Sequence, residues 1–281
     1  MKIAITGSTG FVGKELVQKL VSNGDEVVQI TRNDFSEDRL SQLLLDVNIV
    51  INLAGSSIVK RWSEKYKKVL RKSRIDTTKM LLDSIEKLEK KPEMLISTSA
   101  VGIYKNSGTH NEESTDFADS FLSNLCQNWE SEAKRGEDLG MRIAIFRFGV
   151  VLGKGGALQK MLFPFKLGLG GRIGTGKQAV SFIQIDDLID FYTFAIENRL
   201  SGVFNLGTPE PTTNLGMTKA LGKVLHRPTI FPLPAFVVKL IFGEGAKVLI
   251  DGETMFPKRI LESGFKFKYP DIESALRKSL S

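Results

Sequence analysis

The chain's most informative residues are three glycines at three-residue spacing, Gly7-Ser8-Thr9-Gly10-Phe11-Val12-Gly13, placed after a short apolar run and before a helical pattern. At such a junction glycine permits a tight turn and the close approach of a pyrophosphate. The free N–H groups and positive dipole end of the following helix attract the anion. Residues 7–13 are therefore expected to cradle a dinucleotide. The tip of the next strand selects which one, because a carboxylate there binds a ribose 2′-hydroxyl and a cation accommodates a 2′-phosphate. Thr31-Arg32-Asn33 stands at that tip, so Arg32 points to NADP, with Asp34 as the neighbour that would pull towards NAD. Leu53-Ala54-Gly55 ends the third apolar run, where small residues let the adenosine side of a dinucleotide pass near the backbone. Arg61, Trp62 and Arg74 lie in RWSEKYKKVLRKSR, a run of cations holding one glutamate. They suggest a cationic and aromatic wall for an anionic substrate, beside the plainer reading of a solvated helix face.

Other chemistries lack their residues. Cys126 is the only cysteine and the two histidines, His110 and His226, are far apart in sequence, which leaves no internal disulfide and too few ligands for a zinc cluster; no metal is expected. Asp186 and Asp187 are adjacent, so they point in different directions and do not make the paired carboxylates of a glycosidase. One of them is expected to cap the helix that begins there.

The elements that must position these residues alternate in the order of a parallel sheet. Lys2 to Thr6, Glu26 to Thr31 and Asn48 to Leu53 read as strands, with a helix from Phe11 closed at Asn23-Gly24 between the first two. The third strand is apolar throughout, as a strand covered on both faces should be. Trp62 to Leu88 reads as mostly helix, Met94 to Ser99 as strand, Ser120 to Leu139 as helix and Arg142 to Phe148 as strand. Beyond Leu152, glycines at 153, 155, 156, 168, 170, 171, 174 and 176 read as loops covering a site. Val203 to Leu206 then reads as a strand, Leu215 to Leu225 as a helix, and a last helix starts at Ile272.

The expected architecture is an α/β fold, a doubly wound parallel Rossmann sheet with a smaller C-terminal α/β lobe. Residues 1–152 form the Rossmann core, with further core elements within 180–210, and residues 153–281 supply the covering loops and substrate lobe. The composition agrees. At 281 residues, 42% hydrophobic and 25% charged, the chain has enough apolar material for a large core without disulfides or metal. No apolar run reaches the ~18 residues of a membrane span, and the N-terminus lacks a secretory pattern, so a cytoplasmic protein is expected with no membrane and no nucleic acid as partner. A net charge of +7 is too modest and too dispersed to require RNA.

With GSTGFVG, INLAG and STSAVGIY in order, the chain resembles the extended short-chain dehydrogenase/reductase family, the NAD(P)-dependent epimerases and dehydratases. The motifs RW, SRIDTT, NWESEA, RFGVVLGKGGAL, FIQIDDL and PKRILESGFKFKYP narrow the resemblance to an atypical "epimerase family" subgroup with a small C-terminal domain of unknown function. The likeness covers essentially the whole chain. It implies a Rossmann fold, a nicotinamide cofactor, and a substrate-binding serine at the end of the fourth strand, for which Ser99 is the choice and Thr98 its cofactor-side neighbour. It also implies that Gly149 and Val150 form the loop on the nicotinamide side.

One departure matters. The family's Tyr-x-x-x-Lys pair, in which lysine lowers the tyrosine's pKa for proton exchange, falls near Phe121 and Leu125, and none of the four tyrosines has a lysine four residues on. The subgroup's usual histidine in FIQIDDL is replaced by Gln184. Candidates for the missing chemistry are Ser99, Tyr104, which can reach the same crevice but without lysine should titrate near ~10, and Glu130, an acid if the neighbouring Trp129 indole raises its pKa. The expected activity is hydride transfer by an NADP-dependent reductase or epimerase on a small, anionic hydroxyl or carbonyl compound. The alternative is an NADP(H)-binding sensor without turnover. Monomer and homodimer are both compatible with the helix carrying Trp129.

Overall fold

A computed structural model describes residues 1–281. In chain order the elements are β1 (Lys2–Thr6), α1 (Phe11–Ser22), β2 (Glu26–Ile30), α2 (Glu37–Leu43), β3 (Ile49–Asn52), α3 (Glu64–Arg71), α4 (Thr77–Glu86) and β4 (Met94–Ala100). Next come β5 (Thr109–His110), α5 (Phe121–Lys134), β6 (Arg142–Phe148), β7 (Val150–Leu152), α6 (Gly156–Lys166), β8 (Ala179–Val180), β9 (Phe182–Gln184) and α7 (Ile185–Glu197). The chain ends with β10 (Gly202–Leu206), β11 (Thr212–Thr213), α8 (Asn214–Leu225), α9 (Ala235–Phe242), α10 (Lys247–Ile250), β12 (Thr254–Met255), α11 (Lys258–Glu262) and α12 (Ile272–Leu280).

Six parallel strands form the central sheet in the order β10-β6-β4-β3-β1-β2. The order reverses direction between β1 and β3, the switch point where open α/β sheets leave a crevice at the carboxyl ends of their strands. Strand alternation divides the core between the two faces. Ile3 and Ile5 join Leu16, Phe146, Phe191 and Phe204 on the face covered by α1 and α7, while Ala4 joins Leu40, Val50, Leu81 and Ile143 on the face covered by α2 and α4. A third apolar cluster, including Leu152, Leu158, Phe165, Phe182, Leu221 and Leu276, joins α6, α8 and α12 to the β7–β9 pair. This is the core of the C-terminal lobe.

The glycine-rich stretch is not all loop. Gly156–Lys166 winds as α6 despite Pro164, because Leu158 and Phe165 bury themselves in the lobe core. At the start of α7 the cap is also not the one expected: Gln184 accepts from the Asp186 N–H, whereas the buried Asp187 carboxylate accepts from the N–H groups of Lys268 at 2.8 Å and Tyr269 at 3.0 Å. Asp187 thus ties the C-terminal segment to α7. No helix is long and apolar enough to cross a membrane.

Candidate functional site

The glycine turn lies at the switch point, and each glycine there faces backbone. Gly7 has φ +69°, and a Cβ on it would stand 2.8 Å from the carbonyl carbon and oxygen of Leu53. A Cβ on Gly13 would meet the Gly7 carbonyl oxygen at 2.3 Å, and one on Gly10 the same oxygen at 3.2 Å. The first strand, the start of α1 and the end of β3 therefore close on one another. Helix α1 begins at Gly10 with no side-chain cap and no acidic residue in its first turn, so its leading N–H groups are open to a ligand. Ser8 Oγ is buried without a hydrogen-bond partner, an arrangement that a phosphate oxygen would satisfy. These residues fit a dinucleotide's pyrophosphate. Gly153, Gly155 and Gly156 all pack on the ring of Phe11, each with an added Cβ falling within 3 Å of it, so the first part of the glycine-rich stretch does lie over the cradle. Ala54 follows Leu53, its N–H at 3.2 Å from Thr6 Oγ1.

At the tip of β2 the carboxylate of Asp34 is engaged locally. It accepts from the Thr31 N–H at 2.8 Å and the Thr31 hydroxyl at 2.6 Å, and Arg39 stands 3.3 Å away. These hydrogen bonds, Thr31's above all, hold Asp34 below its ordinary range. Arg32 is exposed and forms no ion pair. The tip therefore presents a cation while its acid is occupied in a turn.

Across the sheet, Ser99 on β4, Arg147 on β6 and Asn205 on β10 share one register row. A continuous buried polar chain runs along it. Ser99 Oγ donates to Glu130 Oε1 at 2.6 Å; Arg147 Nε and Nη2 each donate to Glu130 at 2.7 Å; Arg147 Nη1 donates to the Tyr104 hydroxyl at 2.6 Å. The Tyr104 hydroxyl lies 2.8 Å from Asn205 Oδ1 and 3.0 Å from the Asn111 carbonyl. Arg147 and Glu130 are 4% and 6% exposed, so their fork-to-fork geometry offsets a large desolvation cost. Burial pulls the Arg147 guanidinium down, but Glu130 and Tyr104 outweigh it and the net direction is upward. Burial likewise raises Tyr104, which stacks on His110 with ring centroids 4.9 Å apart. Tyr104 is held at both its hydroxyl and its ring. Glu130 meets a guanidinium and a serine, where the Trp129 indole was the expected neighbour.

Residue-type reasoning passed over Arg147 and Asn205. The only signal was an arginine within the apolar run IAIFRF and an asparagine within GVFNL. It also passed over Cys126, a thiol on α5 against Ser99 and the Ala100 backbone that burial pushes up to about 12. Phe121 and Leu125, near the expected Tyr-Lys positions, lie one turn apart on the same helix, in an apolar cluster with Trp62 and Leu70.

The cationic residues separate. Arg74 enters the crevice: its guanidinium would lie 3.1 Å from a Cβ on Gly55, donates to the Ser56 carbonyl at 3.0 Å, and stands 5.3 Å from the Trp129 ring. It has no carboxylate partner, and burial holds it below its ordinary value. Arg61 and Trp62 turn away to the C-terminal lobe. Arg61 Nη1 donates to the Leu240 carbonyl at 2.7 Å, and Trp62 bridges to Gly243 while packing edge-on against Phe121 at 5.4 Å. At the other side of the sheet the Gly149 and Val150 N–H groups are taken by the carbonyls of Leu206 at 3.0 Å and Ser181 at 2.8 Å. The Thr98 hydroxyl is buried without a hydrogen-bond partner, as is that of Tyr192. Glu253, next to the Ser181 bridge, has its carboxyl pushed up to about 7 by burial.

Comparison with known proteins agrees with this geometry. The model of the NAD dependent epimerase/dehydratase family matches residues 3–207, and a domain of unknown function matches residues 233–279. The chain is 38% identical to epimerase family protein YfhF of Bacillus subtilis over 98% of its own length and 97% of the relative's, and 38% identical to epimerase family protein SDR39U1 of Mus musculus over 99% of both. The crystal structure of human SDR39U1 with NADPH superposes with a TM-score of 0.92 at 35% identity, covering 99% of each chain. With its sheet order, glycine turn and whole-length likeness to these proteins, the chain belongs to the NAD-dependent epimerase/dehydratase family.

Proposed function

We propose that the protein is an NADP-dependent oxidoreductase or epimerase that acts by hydride transfer on a small anionic hydroxyl or carbonyl compound. The observation that carries the substrate class is Arg74, a guanidinium without a carboxylate, set at the crevice between Gly55 and Trp129. An unpaired cation in a half-buried position is stabilised by an incoming carboxylate or phosphate. The NADPH in the human relative supports the cofactor, as do the free Arg32 and the occupied Asp34. Residues 7–13 and 53–55 would hold the dinucleotide with Thr98, Gly149 and Val150 on its nicotinamide side, and residues 1–152 with the strand near 202–206 would form its domain, leaving 153–281 to close over the substrate. Arg61 and Trp62 would act on the substrate indirectly, by holding that lobe in place. The lone buried thiol suits a reducing, cytoplasmic setting.

When bound, the nicotinamide supplies or accepts the hydride. The chain's own residues handle position and proton. Ser99 spends its hydrogen on Glu130, which leaves its oxygen lone pairs to accept from a substrate hydroxyl. As the substrate is oxidised, its hydroxyl proton passes to Ser99 Oγ while Ser99's own proton passes to Glu130 Oε1. Arg147 keeps Glu130 and Tyr104 in register, so Tyr104 positions the relay. Stopped-flow oxidation of NADPH against small keto acids and phosphorylated carbonyls tests this. Turnover should fall by at least ~10² in Ser99→Ala and Glu130→Gln with NADPH affinity kept, and Arg74→Gln should raise KM more than it lowers kcat. Turnover equal in wild type and Ser99→Ala would overturn the relay.

A second reading has its own observation. No tyrosine carries a lysine partner, and Tyr104 is immobilised at its hydroxyl, which favours a protein that binds NADP(H) without turnover and signals its occupancy. Dinucleotide binding with no NADPH oxidation across the whole set of carbonyls would select it.

A further inference from the structure

Two segments of the C-terminal lobe contain no acidic residue at all, residues 153–185 and 211–243. They run side by side at the surface. Arg227 donates to the Lys166 carbonyl at 3.1 Å, Pro228 packs on Gly168, and the Leu233 N–H donates to the Arg172 carbonyl at 2.8 Å. Together they expose a strip of large apolar side chains. Phe163 and Leu167 at the end of α6 are 73% and 58% exposed, Ile230 and Phe231 are 72% and 52%, and Phe236 and Leu240 on α9 are 71% and 74%.

Helix α9 is reversed relative to an ordinary surface helix. Its sequence AFVVKLIF buries only Val238, while Phe236 and Leu240, four residues apart and hence on one stripe, face outward. Cations border the strip: Lys166, Arg172 and Lys239 are all exposed. Beside it opens a depression of about 530 Å³ with no hydrophobic lining, walled by Lys219, Lys223, His226, Arg227 and Arg277. The nearby carboxylates are already matched. Glu273 pairs with Lys223 and Arg277 at 2.6 and 2.7 Å, and Glu244, just beyond α9, pairs with Lys67 at 2.6 Å.

We propose that this face docks on an anionic lipid bilayer, the apolar strip entering the interface and the lysines and arginines meeting headgroup phosphates. A surface of protruding phenylalanines and leucines bordered by the unpaired cations Lys166, Arg172 and Lys239, with its nearest carboxylates already in ion pairs, complements such a bilayer in both its apolar and its charged layers. It does not complement itself. A symmetric second copy would bring the same cations face to face. Because no helix is long and apolar enough to span, the contact is peripheral.

The test is sedimentation of the full chain with vesicles of phosphatidylcholine alone and with about one-third phosphatidylglycerol, alongside light scattering of the protein by itself. Binding to the anionic vesicles should exceed that to the neutral ones by at least about tenfold, and fall to the neutral level in Phe236→Ser/Leu240→Ser and in Lys166→Glu/Lys239→Glu. These positions are exposed, and an unchanged thermal midpoint would show that both variants fold. Equal binding to the two vesicles, no binding to either, or binding retained in both variants overturns the proposal. So does a dimer in solution that dissociates on Phe236→Ser/Leu240→Ser, which would make a second copy the occupant.

Discussion

Gly13 and Gly10 stand three residues apart in the same turn but differ in what surrounds them. A Cβ at Gly13 collides with the Gly7 carbonyl at 2.3 Å, whereas at Gly10 the nearest atom is 3.2 Å away. Gly13→Ala should therefore displace the turn itself, costing about 1–3 kcal/mol and abolishing dinucleotide binding. Gly10→Ala should leave the unfolding midpoint nearly unchanged and weaken the ligand alone, a difference that paired urea melts and titrations would resolve. The Glu130–Arg147 pair makes a second prediction of the same grain. Glu130→Gln strands a buried guanidinium and should cost about 3–5 kcal/mol, while the joint change Glu130→Gln with Arg147→Met should cost less than that single one. A double-mutant cycle in urea checks the sign of the coupling. Glu253 brings a pH dependence. Burial lifts its carboxyl from 4.5 to about 7, so the folded chain keeps a proton that the unfolded chain has released. Its contribution to stability is complete below pH 4.5 and is lost as pH rises through about 7. Between about pH 5 and about pH 8 the wild type should lose about 2 kcal/mol more than Glu253→Gln. Parallel pH profiles for the two proteins would contradict the assignment.

Elements show which parts of this structure a sequence can announce. The β1–α1 turn was legible because its chemistry is local: a strand, a glycine triplet and a helix within thirteen residues. Strand β3 was legible because it is covered on both faces, and IVIN is accordingly apolar up to its last residue, Asn52, whose side chain accepts from Thr6 and donates to Thr78. Helix α6 was hidden by Gly155, Gly156 and Pro164, residues that argue for a loop until Leu158 and Phe165 find partners on α8 and α12, far along the chain. Helix α2 was hidden by brevity, since its seven residues bury only Leu40 and show no stripe. The polar row was invisible for a related reason: Arg147 meets Glu130 at a separation of 17 residues and Tyr104 at 43, and no local pattern marks such pairs. Where a signal is local, an element-scale prediction is direct. Asp271 caps α12 by accepting from the N–H groups of Glu273 at 3.0 Å and Ser274 at 2.9 Å, and those bonds, Ser274's first, hold its carboxyl below the ordinary range. Asp271→Ala should cost about 1 kcal/mol, read as a lowered urea midpoint with the slope unchanged.

At the scale of the whole molecule the two lobes share one mechanical frame. Asp187 in α7 grips the backbone at Lys268 and Tyr269, Arg61 grips the end of α9, and the loop at Gly153 rests on Phe11 above the cradle. The cofactor reading is NADP(H), chosen by a free cation at Arg32 beside an engaged Asp34. Calorimetric titration of NADPH and of NADH, each into the wild type and into Arg32→Ala, measures that choice. The wild type should bind NADPH at least ~10-fold tighter, a difference of ~1.4 kcal/mol, and Arg32→Ala should lose the preference while still binding NADH. Equal affinities in the wild type, or a preference that survives in Arg32→Ala, would contradict it.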